Sequence, residues 1–327
     1  MSGNQSNRDT GRAAVDISFV VACYNAGRLL EPAVRSALDQ HGVAVEVLIV
    51  DDGSSDGSLE NALRMSRLDP RVIVLQTREN SGPGGARNVG MDAMRGRWFA
   101  MLDADDLILP ERSKKLVAIA DSYNADMVAD NLLQFGEGIV PNSMFAIAPR
   151  GGAKRLELTE YFERSRLFGR EESPGYLKPM IRRSALEQAR LRYNPALRIG
   201  EDDELVIRAL HANLKYVVCD YAGYHYRRHS SSISHRLSLA NLDSMIEAER
   251  EIARQLHPAV ARSKSYRGRW DALLRARAFT SSVEALKAGS YFLAAAVLVK
   301  QPSAIALFSL PLNVRLQRLK ARLNRLP

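Results

Sequence analysis

Short β-branched apolar runs alternating with helix-patterned segments constrain this chain more than any other feature. Residues 17–22 (ISFVVA), 45–50 (VEVLIV), 72–75 (VIVL) and 98–102 (WFAML) each have strand length, and 126–129 is a shorter fifth. Helical stripes lie between them: Leu30, Ala33, Val34, Ala37 and Leu38 within 29–40, then 59–68, 86–95, and a segment running from Pro110 to about Tyr123. Runs that are apolar on both faces, each followed by a helix, predict a mainly parallel sheet covered on both sides. Ligands bind such sheets beyond the carboxyl ends of the strands. The polar clusters fall there: Tyr24-Asn25 after the first run, Asp51-Asp52 after the second, and Asp103-Ala104-Asp105-Asp106 after the fourth.

Beyond this region the pattern loosens. Residues 131–195 are less regular, 201–212 reads as a helix, 216–219 and 222–226 as short strands, and the chain is helical from about 240 to its end. Gly82-Pro83-Gly84-Gly85 reads as a loop. A chain of 327 residues holds one large domain or two modest ones. The expected division is a disordered polar lead at 1–14, an α/β domain at 15–234 and a helical region at 235–327. The lead has no apolar segment of the signal-peptide kind. Cys23 and Cys219 stand outside any metal-binding or disulfide spacing, which fits reduced thiols in the cytosol.

The formal net charge is +9, and residues 313–327 contain Arg315, Arg318, Lys320, Arg322 and Arg325 with no acid. An excess this local argues for a docking surface and against a nucleic-acid partner. No apolar stretch reaches the ~20 residues that span a bilayer; 291–299 is cut short by Lys300-Gln301-Pro302. Leu316, Leu319, Leu323 and Leu326 recur at helical spacing beside the basic residues. Such a segment either lies on an anionic membrane or packs its leucines on the domain with a solvated basic face.

Several clusters carry candidate chemistry. Asp103 and Asp105, two apart past a strand, point the same way and can hold Mg²⁺ or Mn²⁺ against a diphosphate, although an isolated Asp-x-Asp is commonly just a solvated turn. Asp106 is expected to begin or cap the next element. A carboxylate in Asp51-Asp52-Gly53-Ser54 can accept a uracil N–H, or simply cap a helix. Asn80 to Asn88 (NSGPGGARN) offers glycines for close backbone approach and Arg87 for phosphates or for the aspartates, but it is neither a P-loop nor a dinucleotide fingerprint. Glu201-Asp202-Asp203-Glu204 suits a helix start, and one of its carboxylates can serve as a general base.

In order, Val20-Val21-Ala22-Cys23-Tyr24-Asn25, Val50-Asp51-Asp52-Gly53-Ser54, Gly85-Ala86-Arg87-Asn88-Val89-Gly90, Leu102-Asp103-Ala104-Asp105-Asp106 and Gly200-Glu201-Asp202 resemble family 2 glycosyltransferases of the GT-A fold. The stretch from Arg78 to Trp98, with Gly175-Tyr176-Leu177-Lys178-Pro179 and the Tyr226-Arg227-Arg228-His229-Ser230 run, is similar to bacterial exopolysaccharide glucosyltransferases of the succinoglycan type. The resemblance implies that Ala22, Tyr24, Asn25, Asp52, Gly85, Arg87 and Asp103 hold the nucleotide sugar. It implies Asp103 and Asp105 as the metal motif for Mn²⁺ or Mg²⁺, with Asp105 the direct ligand, and Asp202 as the catalytic base. Asp203 and Glu204 leave the choice of base open, and whether His225 or His229 joins the metal is open too.

The function expected is inverting transfer of a hexose, glucose foremost, from a UDP-sugar to a lipid-linked oligosaccharide in exopolysaccharide assembly. The enzyme is expected in the cytoplasm, peripheral on the inner membrane through its basic tail. A sugar-phosphate nucleotidyltransferase is one rival, disfavoured by the lack of a basic glycine-rich signature near the N-terminus. A non-catalytic, membrane-docked scaffold is the other, disfavoured by the retained acids.

Overall fold

The computed structural model describes residues 14–146, 148–169, 172–228 and 237–309. The polar lead up to residue 13, His229 and the serines after it, and the basic tail lie outside the described residues.

The first half follows the alternation of the sequence. β1 (Ile17–Cys23), α1 (Leu30–Leu38), β2 (Val45–Asp51), α2 (Ser58–Leu68), β3 (Val72–Gln76), α3 (Gly82–Ala93) and β4 (Trp98–Met101) succeed one another. β3, β2, β1 and β4 lie side by side and all parallel, with Val20 opposite Leu48 on one flank and Met101 on the other. Every residue of β2 is buried, as a strand covered on both faces requires.

Past β4 the sheet becomes mixed. After β5 (Leu107–Ile108) and α4 (Arg112–Ser122) come β6 (Met127–Ala129), β7 (Leu132–Phe135), β8 (Asn142–Ser143), β9 (Ala153–Arg155) and α5 (Leu158–Arg164). β10 (Met180–Arg182) then inserts antiparallel between β4 and β6. After α6 (Arg183–Gln188) and α7 (Glu201–His211), β11 (Tyr216–Cys219) runs parallel to β6 and antiparallel to β9, completing eight strands. β12 (Tyr224–Arg227), expected two residues earlier, joins β5, β7 and β8 in a second, four-stranded sheet. α8 (Leu239–Gln255), α9 (Pro258–Ala261), α10 (Lys264–Lys287) and α11 (Tyr291–Lys300) follow.

One expectation is corrected. Gly82-Pro83-Gly84-Gly85 is not a loop but the first turn of α3. Proline is suited to the first turn, where its missing N–H costs nothing. The free amides of Ser81 and Gly82 both donate to the Asp52 carboxylate, at 2.8 Å each. The remaining small residues serve close packing. Gly84 lies where a Cβ would sit 3.2 Å from the Asn194 carbonyl, and Gly90 where it would sit 2.4 Å from Val20 Cγ1. Asn88 exchanges hydrogen bonds with both backbone groups of Tyr193. The Gly-Gly-Ala-Arg-Asn-Val-Gly run thus seats α3 tightly between β1 and the segment before α7.

The C-terminal helices are tied to this body through Arg269 of α10. Its guanidinium donates to Glu249 of α8, to Asp203 of α7 and to Ser165 after α5.

Candidate active site

The carboxyl ends of β1, β2 and β4, the first turn of α3 and the start of α7 enclose a cleft of about 1110 Å³. Ala22, Tyr24, Asn25, Asp52, Arg87, Asp103, Asp105 and Asp202 all line it. Gly85 does not. It is buried, and the space a side chain would need is taken by Ser81, whose Oγ stands 2.5 Å from the site of a Cβ. Its glycine character answers to packing within α3.

At one end the strand stops interlock. Asn25, in the left-handed region at φ 50°, accepts from the Ser55 amide and donates its own amide to Ser54. Tyr24 beside it is half exposed at the mouth of the cleft. Asp52 is buried, and one of its oxygens accepts from Thr77 and from the amide and hydroxyl of Ser81, while the other accepts from Gly82. It therefore caps α3 across space as well as facing the cleft.

The centre is a closed ring of charges. Arg87, projecting from α3 and almost fully buried, donates 2.7 Å to one Asp103 oxygen and 2.8 Å to Glu201, and lies 3.3 Å from Asp202. Lys178 approaches from the opposite side, 2.8 Å from the other Asp103 oxygen and 2.7 Å from Asp202. Burial alone would raise the Asp103 pKa, but Lys178 and Arg87 outweigh it and hold that carboxyl well below the usual carboxylate range. Lys178 is pushed the other way: burial opposes its charge, yet the two aspartates keep it a cation. Burial and the neighbouring Asp202 charge raise the Glu201 pKa.

The four consecutive acids of α7 separate by partner. Glu201 faces Arg87, and Asp202 faces Arg87 and Lys178. Asp203 accepts from Tyr161 and Arg269, and Glu204 pairs with Arg208 one turn on. Asp202 keeps one buried oxygen without a hydrogen-bond partner.

Both Asp103 oxygens are engaged by cations, and Asp105 lines the same cleft two residues on. Among the described residues no three His, Cys, Asp or Glu side chains are grouped as a metal cage. One carboxylate with substrate phosphates and water still fits Mg²⁺ or Mn²⁺, which are commonly bound in that way. His225 tilts against Phe135 at 6.1 Å, and burial lowers its pKa; strand alternation turns its neighbour Tyr226 to the cleft instead. Asp106 stands directly before β5, as expected of a residue that begins the next element. Its carboxylate accepts from the Tyr224 hydroxyl at 2.8 Å and the Arg227 amide at 2.7 Å, which binds β12 to the turn after β4. Burial and the charges of Asp103 and Asp105 raise its pKa.

Lys178 is the residue that sequence reasoning left without a role. The signal available was a lysine next to a proline before a short apolar run, and only the sheet shows that this run lies beside β4.

The glycosyl transferase family 2 model matches residues 18–188, just over half of the chain and the part that builds this cleft up to β10 and α6. The chain belongs to glycosyl transferase family 2. The family 2 chain is 39% identical to the succinoglycan biosynthesis protein ExoO of Rhizobium meliloti (strain 1021) over 307 residues, covering 94% of this chain and 88% of that protein. Among solved structures it is similar to S. aureus TarS 1–349 in complex with UDP-GlcNAc, with a TM-score of 0.62, 19% identity and coverage of 88% and 92%. It is also similar to the mannosyltransferase PcManGT of Pyrobaculum calidifontis in complex with GDP-Man and Mn²⁺, with a TM-score of 0.60, 15% identity and coverage of 93% and 81%. These neighbours establish the GT-A fold of this glycosyltransferase.

Proposed function

We propose that this family 2 enzyme transfers a hexose, glucose foremost, from a UDP-sugar to a hydroxyl of a lipid-linked oligosaccharide in exopolysaccharide assembly, with inversion at the anomeric carbon. It works at the cytoplasmic face of the inner membrane. The observation that carries the reading is the position of Asp202, held by Lys178 and Arg87 opposite the Asp103–Asp105 turn in one cleft. The similarity to a succinoglycan biosynthesis protein supports the assembly role.

Tyr24, Asn25 and Asp52 form the nucleoside end, and Ala22 gives it room. Asp105, with the donor diphosphate, is the group to hold Mn²⁺ or Mg²⁺; when bound, the cation offsets charge on the departing diphosphate. Arg87 and Lys178 fix the Asp103 turn and the Asp202 carboxylate relative to one another. The Asp202 oxygen that faces Arg87 at 3.3 Å without a hydrogen bond takes the proton of the acceptor hydroxyl as the acceptor oxygen bonds to the anomeric carbon and the bond to UDP breaks. No covalent enzyme intermediate is needed.

A donor screen by UDP release with added Mn²⁺, beginning with UDP-glucose, tests this. UDP release that rises with acceptor is expected. Pyrophosphate release from a sugar phosphate and UTP would point to a nucleotidyltransferase, and silence with every donor to a scaffold.

A further inference from the structure

The last two described elements leave an apolar surface facing solvent. α11 has no charged residue from Tyr291 to Val299, and Ala294 is its buried residue. Phe292 is 90% exposed and Val299 78%. With Ala295 they fall at i, i+3 and i+7, one stripe along the helix. The chain then bends by 117° into the 3₁₀ turn Pro302–Phe308, where Ile305 is also exposed. Single exposed apolar side chains are ordinary, but a contiguous stripe marks an interaction surface.

Three observations favour a lipid surface as its occupant. Lysines bound the stripe, Lys287 before it and Lys300 at its end, and the sequence that continues through 310–327 holds Arg315, Arg318, Lys320, Arg322 and Arg325 with no acid. Apolar side chains flanked by cations match a bilayer with anionic headgroups. No single helix among the described residues is long and apolar enough to cross a membrane, and the 117° bend keeps α11 and the turn from forming one straight span, so a bent segment in the boundary region suits this geometry. Lastly, an aromatic path joins this surface to the cleft. Phe308 packs edge-to-face on Phe279 at 4.9 Å, and Phe279 on Phe168 at 6.3 Å. Phe168 and Phe279 line the cleft with Leu167 and Leu273.

We propose that α11 and the Pro302–Phe308 turn form a bent apolar anchor seated in the headgroup–acyl boundary of an anionic bilayer, so that the aromatic end of the cleft opens towards the membrane. The proposal rests on the lipid-linked acceptor proposed above and names the element that brings the cleft to that acceptor. It makes the basic tail an accessory to the anchor.

The test uses the full chain with Phe292→Cys carrying an environment-sensitive dye; Cys23 and Cys219 are buried. Vesicles of phosphatidylcholine with phosphatidylglycerol should shift the dye emission to the blue. In co-sedimentation, Phe292→Ser combined with Val299→Ser should lower partitioning by about tenfold or more, with an unchanged melting curve. A dye that stays in water while the protein sediments would overturn the anchor and leave docking by charge alone. A dye already shielded in buffer would overturn it too, and light scattering would then separate a second copy from the chain's own tail. Donor turnover is read separately: insertion without UDP release from any UDP-sugar would sink the proposed reaction and spare the anchor.

Discussion

Asp103 and Asp202, from distant parts of the chain, share one ammonium: Lys178 Nζ lies 2.8 Å from an oxygen of the first and 2.7 Å from an oxygen of the second. Arg87 closes the same pair from the other side. The spacing between the turn after β4 and the start of α7 is therefore set by two buried cations.

Removing one of them should be costly. Lys178→Met leaves two carboxylates with Arg87 alone, and breaking a buried ion pair costs about 3–5 kcal/mol. Urea denaturation at pH 7 measures this. The defect should shrink towards pH 4, where Asp103, no longer held low by Lys178, can take up a proton.

The depressed Asp103 pKa fixes the sign of one acid effect. A carboxyl held below its ordinary value of about 3.9 adds stability that is complete above that value and is lost as the pH falls below it, towards the folded pKa. Asp103→Asn should flatten the acid limb of the stability profile below about pH 4. Asp106 has the opposite sign. Its raised pKa gives stability that is full below about 3.9 and declines as the pH rises, so Asp106→Asn should remove that decline. Melting temperatures across pH measure both.

Packing of α3 on β1 should be intolerant of a single methyl group. Gly90→Ala places a carbon 2.4 Å from Val20 Cγ1, and overpacking of this kind costs about 1–3 kcal/mol. Adding Val20→Ala should recover part of the loss in a chemical melt. Turnover should fall in the single variant, because α3 carries Arg87.

The cap on α3 is separable from the nucleotide contact proposed for Asp52. Asp52→Ala frees the amides of Ser81 and Gly82 and should lower stability by about 1–2 kcal/mol, whereas Asp52→Asn, which keeps an acceptor oxygen, should lose less. Calorimetry of UDP binding to Asp52→Asn then reads the proposed uridine contact by itself.

Much of the cleft is legible in the sequence. β1, β2, β3 and β4 follow from local apolar runs, and their polar stops follow from the parallel arrangement, so the cleft-facing residues at those stops, Tyr24, Asn25, Asp52, Asp103 and Asp105, can be named from the sequence. The start of α3 cannot, because glycine and proline signal a break locally, while the groups that make them helical, the Asp52 carboxylate and the Tyr193–Asn194 backbone, are distant in sequence. β10 escapes because three residues carry no period, and its place between β4 and β6 is a tertiary fact. Lys178 escapes with it. The ambiguity among the four acids of α7 is likewise not local: Arg269, Arg208, Arg87 and Lys178 resolve it from four directions.

The most direct measurement compares Asp202→Asn with the parent enzyme in Mn²⁺-dependent transfer from the active UDP-sugar, alongside calorimetric UDP binding. The account predicts UDP affinity within a few-fold of the parent and transfer reduced by about 10²–10⁴-fold. Near-normal turnover by Asp202→Asn, with UDP bound as well as before, would contradict it.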